Sequence, residues 1–371
     1  MFILFILIGS FTLGILLQLF INHLWGHKLK LKEPAFVQGY NNIRKPVHGI
    51  VIAYLLIHIG LIGGAELAHE GLASLGIPLI LCIGLALTLF MATLLALTCI
   101  GINDKETRVS LAVHFGSVSV GTFAAAQAFL TSRGIPFAPS TSAWLALMET
   151  PSIIAGALML GGGLKSIKEV LTDRDVIILL GTLILGFIFG SHLVHKLDFI
   201  LVAPFEGILA YFLFDMGQHA GEHITHLRHN GIELICFGIL TALFGGILGN
   251  LAGTLAGLSI GNVALLSTLT ASASYVAATA VMNKFVSRKA MAITLTVSLG
   301  IVLTWNILIG IQIYTFLAAA LHSLQGNSYL IGLLLAGWLF LVFGSLSVWA
   351  KLRLLEDKVN KILASNTTAF A

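Results

Sequence analysis

Charge is scarce in this sequence: Asp, Glu, Lys and Arg make up 10% of 371 residues, against 57% hydrophobic residues. With a mean hydropathy of +0.99, that shortage excludes a water-soluble domain and points to an all-α integral membrane protein. Cysteine is scarce too. Cys82, Cys99 and Cys236 all lie inside apolar runs, which argues against a disulfide framework and leaves them as small packing residues. Also missing are a nucleophile–base pair, a phosphate loop and a metal-hydrolase motif with workable spacing, so the chain does not read as an enzyme. The opening stretch, MFILFILIGSFTLGILLQLF, lacks a basic leader and a cleavage site and reads as a first spanning helix. No soluble domain, low-complexity tract or long linker interrupts the chain.

What is present is a series of apolar runs near twenty residues long. They predict about eleven transmembrane helices, at 2–21, 46–68, 77–100, 107–131, 142–162, 175–191, 199–220, 231–256, 260–283, 290–320 and 329–350. Of the 20 lysines and arginines, 18 then fall on one side, leaving Arg133 and Lys196 on the other. The positive-inside rule therefore places the N-terminus outside and the C-terminus in the cytoplasm. The net charge of +4 is thus sorted by membrane side and implies no nucleic acid. No Lys or Arg is needed at membrane depth, which argues against a multiply charged substrate.

The two halves of the chain rhyme. HIGLIGGAE (58–66) aligns with DMGQHAGEH (215–223), matching Gly60 to Gly217 and Gly64 to Gly221. SVSVGTFAAA (117–126) aligns with TASASYVAAT (270–279), matching Ser117 to Thr270, Ser119 to Ser272 and Gly121 to Ser274. The similar offsets predict one duplication. Five helices per half make it an inverted-topology repeat, as in secondary transporters. The expected organisation is a first repeat at 1–160, an inner linker at 161–175, a second repeat at 176–320, and an extra C-terminal transmembrane helix with a cytoplasmic tail at 321–371.

Spans four and nine carry their hydroxyls near mid-membrane. If both break there and cross, two helix N-termini and their free amides converge on one small volume, which favours an anion. Ser117, Ser119, Gly121, Thr122, Thr270, Ser272 and Ser274 are the candidate substrate-binding residues. The same small residues would also suit close helix packing.

Glu149, in span five, is costly in lipid unless it meets a partner or a cation. Pro151 frees a carbonyl nearby. With Thr150 and Ser152 these are hard oxygen ligands for Na⁺ or a proton; Asp215 is added as a further cation-coupling candidate. His58 reads as a structural histidine. In the run His219, Glu222, His223, His226 and His229, positions 219, 223 and 226 share a helical face with metal-ligand spacing, but the run enters an inner loop and reads as a solvated face with Arg228. No metal site and no cofactor are expected, Na⁺ entering only as a coupling ion.

HIGLIGGAEL (58–67), FGSVSVGTFAAAQAFL (115–130) with RGIPF (133–137), ALMETPSIIAGAL (146–158) and ASASYVAAT (271–279) resemble the sodium-dependent bicarbonate transporter superfamily of bacteria. The resemblance implies ten helices in five-plus-five inverted repeats, crossing broken helices at positions four and nine, and a homotrimer in the bacterial plasma membrane. It implies bicarbonate uptake by symport with Na⁺, an anion site at Ser119, Gly121, Thr122, Ser272 and Ser274, and an acid at Glu149, where the family usually has Asp. Tyr275 stands where the family carries another acid, and Ala278-Thr279 replace a Gly-Pro. A probable Na⁺ ligand is thereby lost, so H⁺ stands beside Na⁺ as coupling ion. The short central loop offers a PII-like regulator no evident docking segment. Two other readings remain at this stage: a divalent-metal transporter using His58, Glu149, Asp215 and the histidine run, and a non-transporting sensor or scaffold.

Overall fold

The computed structural model describes residues 2–25, 35–71, 76–161, 168, 171–224 and 231–323. Among these the chain is helical, with no strand. The helices are α1 (Phe2–Trp25), α2 (Ala35–Glu70), α3 (Gly76–Cys99), α4 (Lys105–Gly116), α5 (Val120–Ser132), α6 (Ser142–Met159), α7 (Arg174–Lys196), α8 (Phe205–Ile224), α9 (Gly231–Leu255), α10 (Ile260–Ala271), α11 (Ala277–Met282), α12 (Arg288–Leu295) and α13 (Ile311–His322).

Nine helical stretches among the described residues are long and apolar enough to cross a bilayer, counting α4–α5 as one and the run Arg288–His322 as another. The ninth predicted span is represented by α10 and the short α11. The predicted spans one to ten therefore correspond to helices, while the eleventh, the tail, His226, His229 and most of the linker lie outside the described residues. Two boundaries differ from expectation. Helix α2 reaches back to Ala35 through Pro46. The apolar run of α7 is interrupted at Gly190, whose φ of +61° kinks the helix and suits glycine alone among common residues.

Glycines bring two helix pairs to backbone contact. Gly60 and Gly64 of α2 face Leu179, Leu183 and Phe187 of α7, and Gly186 of α7 faces Leu61 and Ala65. Numbers rise together on both helices, so α2 and α7 run parallel. In the same way Gly217 and Gly221 of α8 face Phe11, Ile15 and Gln18 of α1, and Gly14 faces Phe214 and Gln218. At each of these glycines an added Cβ would enter the neighbouring helix, which is why the seam needs Gly.

The hydrophobic window of α4–α5 is 94% buried, whereas that of α7 is 17% buried. The polar-centred span is therefore the middle of the bundle, and the plainly apolar helices surround it. Their outward faces carry Leu13, Ile80 and Phe316, which suits contact with lipid.

The run Arg288–His322 leaves α geometry twice, as π-helix at Thr296–Leu303 and Asn306–Gly310. Such segments loosen the i→i−4 ladder and often accompany functional sites.

Candidate functional site

Helix α4 ends at Gly116, and residues 117–119 are not helical: Ser117 and Ser119 have extended backbones. The break is self-capped. Ser119 Oγ accepts from the Thr122 amide at 3.1 Å and from Thr122 Oγ1 at 2.9 Å, the geometry that starts a helix at a serine. The amides of Val120 and Gly121 belong to the first turn and have no partner within the helix. Gly116 and Gly121 let neighbours close on the break from both sides: a Cβ on Gly116 would lie 2.7 Å from Ser152 Cβ, and one on Gly121 would meet Phe212 and the Tyr275 hydroxyl.

The second break follows α10. Ser272 is extended, and its Oγ donates to Leu269 O at 2.8 Å while accepting from the Ser119 amide at 3.0 Å. The Ser274 amide donates to His114 O at 2.8 Å, and Ser274 Oγ accepts from the Ala278 amide at 3.3 Å. One break thus pairs 119 with 272 and 114 with 274, so the two broken spans cross in opposite directions and touch at their breaks. The expected crossing at spans four and nine is present as geometry. The free carbonyl of Ala271, last residue of α10, is met by Asn306 Nδ2 at 2.9 Å, and Tyr314 Oη holds Asn306 Oδ1 at 3.1 Å.

Tyr275 stands at this crossing. Its buried hydroxyl lies beside the Ser119 side chain and the Gly121 amide, yet has no partner of hydrogen-bonding geometry among the described residues. A phenol in this position presents a neutral hydroxyl, with an oxygen that can accept, at the α5 N-terminus where a carboxylate would present charge.

Ser117 and Ser152 tie the first break to α6, donating to Glu149 O at 3.1 Å and Val113 O at 3.2 Å. Thr150 Oγ1 donates to Ala146 O at 3.4 Å. The hydroxyls of Thr150 and Ser152 therefore keep oxygen lone pairs while their protons are occupied. Glu149 is 4% exposed, and among the described residues its carboxylate forms no ion pair or hydrogen bond. Asp175 and Asp173, both acidic, act on it electrostatically. An almost buried carboxylate with no cationic partner among the described residues calls for a bound cation or a proton.

Asp215 is not brought to Glu149. It is 1% exposed. Arg44 Nε lies 2.6 Å from its Oδ1, and His48 Nδ1 lies 2.5 Å from its Oδ2. Arg44 Nη1 also meets Glu222 Oε1 at 2.8 Å, and His219 meets both Glu222 and Asp215. Arg44 lies buried within α2, where it is paired with a buried aspartate on α8. One expectation is corrected here. His219 and Glu222 belong to that network and not to a plain solvated face. His58 is structural, as expected: its Nδ1 faces Leu201 O at 2.6 Å and its ring stacks on Phe205 at 4.0 Å. His58, Glu149 and Asp215 thus do not converge, which removes the geometry that the metal-transporter reading needs.

Of the other candidate residues, Thr270 turns its hydroxyl back to Leu266 O and Ser267 O at 3.0 Å each, and its backbone abuts Gly245 of α9. It packs the second break and does not line it. Arg44, His48, Asn306 and Tyr314 escaped sequence reasoning. Asn306 had a faint signal, a lone amide in the apolar LTWNILIG; the others are defined by partners far away in the chain.

The family model of the Na⁺-dependent bicarbonate transporter superfamily matches residues 35–319. No curated protein matches the chain.

Proposed function

We propose that this chain, which belongs to the Na⁺-dependent bicarbonate transporter superfamily, is a secondary active transporter of a small monovalent anion, bicarbonate by family, moved by symport with Na⁺ or H⁺. The observation that carries this reading is the contact of the two breaks through the Ser119 amide and Ser272 Oγ, which gathers the α5 N-terminus and several hydroxyls at one buried crossing. A helix N-terminus is equivalent to about half an elementary charge, so two of them balance one negative charge and not two. Ser119, Gly121, Thr122, Ser272 and Ser274 are the anion-binding residues in this reading. Ser117 and Thr270 support the breaks.

Glu149, with the lone pairs of Thr150 and Ser152, takes the coupling cation. Co-binding offsets the anion's charge, and net charge movement couples uptake to the membrane potential, worth about 2.3 kcal/mol per charge per 100 mV. Asp215, held by Arg44, belongs to a separate network near the inner ends of α2 and α8. The two parallel glycine seams support the inverted repeat: pairing α2 with α7 and α8 with α1 is what exchange of the halves requires. The reading places the chain in the plasma membrane as a multi-pass protein with its N-terminus outside, as a homotrimer by family.

The test is uptake of labelled bicarbonate into proteoliposomes at fixed pH, with and without an inward Na⁺ gradient, for wild type and Glu149→Ala. Na⁺-driven uptake that collapses in the variant is the expected result. Uptake that follows a proton gradient instead assigns Glu149 to H⁺. Absence of uptake under either gradient overturns the bicarbonate assignment.

A further inference from the structure

The cluster on α2 and α8 contains a donor set that the ion pairs alone do not explain. Asp215 Oδ1 is taken by Arg44, and Oδ2 faces two imidazoles. His219 Nδ1 lies 3.3 Å from Glu222 Oε2. A carboxylate oxygen only accepts, so Nδ1 carries a proton, and in the neutral tautomer Nε2 offers a lone pair. Nε2 looks at Asp215 Oδ2 across 3.9 Å. Two ligand atoms at this separation leave room for a cation between them. One nitrogen and one oxygen bound to a tetrahedral zinc ion at about 2.0–2.2 Å each stand roughly 3.3–3.6 Å apart, so 3.9 Å needs only a slight closure.

We propose that His48 Nδ1, Asp215 Oδ2 and His219 Nε2 bind a divalent cation of the zinc class. The three atoms lie within 4.8 Å of one another. Two imidazoles and a carboxylate form a donor set suited to Zn²⁺, with the remaining position open to water. The outer contacts have the usual form as well: Glu222 holds the far nitrogen of His219, and Arg44 holds the far oxygen of Asp215, fixing ring and carboxylate. His48 Nδ1 and Asp215 Oδ2 share a proton at 2.5 Å; an entering ion displaces that proton and opens the pair to the separation of two ligands on one metal. The His48 and His219 side chains are 25% and 30% exposed, which gives the ion a way in. A bound ion would tie α2 to α8 beside Phe212, whose ring stacks on His48 at 6.4 Å and packs against Gly121. The site does not depend on the transport reading.

The test is titration of the purified, metal-free full-length protein with Zn²⁺ alone, by competition with a chromogenic chelator. One Zn²⁺ per chain is expected, with affinity about 100-fold weaker in His48→Ala and His219→Ala and about 10-fold weaker in Glu222→Gln. Replacing His226 and His229 should leave it unchanged. Co²⁺ in the same site should give visible bands of nitrogen–oxygen coordination that vanish in His48→Ala. His48→Gln, checked by its melting curve, serves if the alanine variant does not fold. Absence of Zn²⁺ binding in the wild type, unchanged affinity in the folded His48 variant, or loss confined to the His226/His229 variant overturns the proposal.

Discussion

The backbone amide of Ser119 donates to the hydroxyl of Ser272 at 3.0 Å, across 153 positions of the chain. Ser119 caps the start of α5 and Ser272 the end of α10. The acceptor for the first helix's exposed amide is thus supplied by the second helix's break.

Ser272→Ala should leave that amide buried without a partner, at a cost of about 1–3 kcal/mol. The expected outcome is a lower melting temperature in detergent together with reduced anion uptake, and Ser272→Thr should restore most of both. Unchanged stability and uptake in the alanine variant would show that the crossing does not depend on this bond.

Gly121→Ala would set a methyl group against the Phe212 ring and 2.5 Å from the Tyr275 hydroxyl. The protein should still insert, because the clash is confined to side chains, while uptake falls at least tenfold. Tyr275→Phe removes the hydroxyl and keeps the ring. Losing one neutral donor of about 0.5–1.5 kcal/mol should raise the KM for the anion several-fold with little change in kcat. Both are read from initial uptake rates over a range of anion concentrations.

Removing either Arg44 or Asp215 alone should cost up to about 3–5 kcal/mol, since each strips a buried charge of a fully charged partner, leaving Arg44 only Glu222 and Asp215 only its histidines. Replacing both by apolar residues of similar volume, Arg44→Met with Asp215→Leu, should cost markedly less. A double-mutant cycle on thermal unfolding in detergent checks this, and additive losses would sink it.

Asp104 caps α4 from outside the membrane-spanning segment. The Thr107 hydroxyl, donating at 2.5 Å, and the amide of Thr107 hold its carboxyl below the ordinary carboxylate value. A folded-state value lower than the unfolded one means that the stabilisation is present above the ordinary value, near 4, and is lost as pH falls through the lowered one. Amide exchange in the first turn of α4, corrected for intrinsic rates, should therefore accelerate on acidification. Asp104→Ala should show fast exchange at every pH, having lost about 1 kcal/mol of cap.

How much of this could be read from the chain alone follows from the range of each interaction. The spans were legible because hydropathy is summed locally. The breaks were legible because Ser117, Ser119 and Ser272 are wrong for lipid and right for caps. The pairing of Gly60 with Gly217 and Gly64 with Gly221 pointed to matching roles, and both pairs do lie on helix seams. Arg44 escaped notice because its partners Asp215 and Glu222 lie on α8, more than 170 positions away. The π segments were invisible because π and α turns differ by one hydrogen-bond register within the same apolar composition. Asn306 is explained only by the Ala271 carbonyl of another helix.

The glycine seams have a mechanical consequence. Where backbones touch, no side chain is available to deform, so α1 with α8, and α2 with α7, each behave as one stiff beam. The broken spans are joined by single hydrogen bonds that can exchange at small cost. Any cycle that opens the crossing first to one face of the bilayer and then to the other must bend at the breaks and spare the beams. Selection on such a machine acts unevenly: a methyl group added to a seam jams it, whereas a changed residue at the joint alters its cargo and leaves the frame standing.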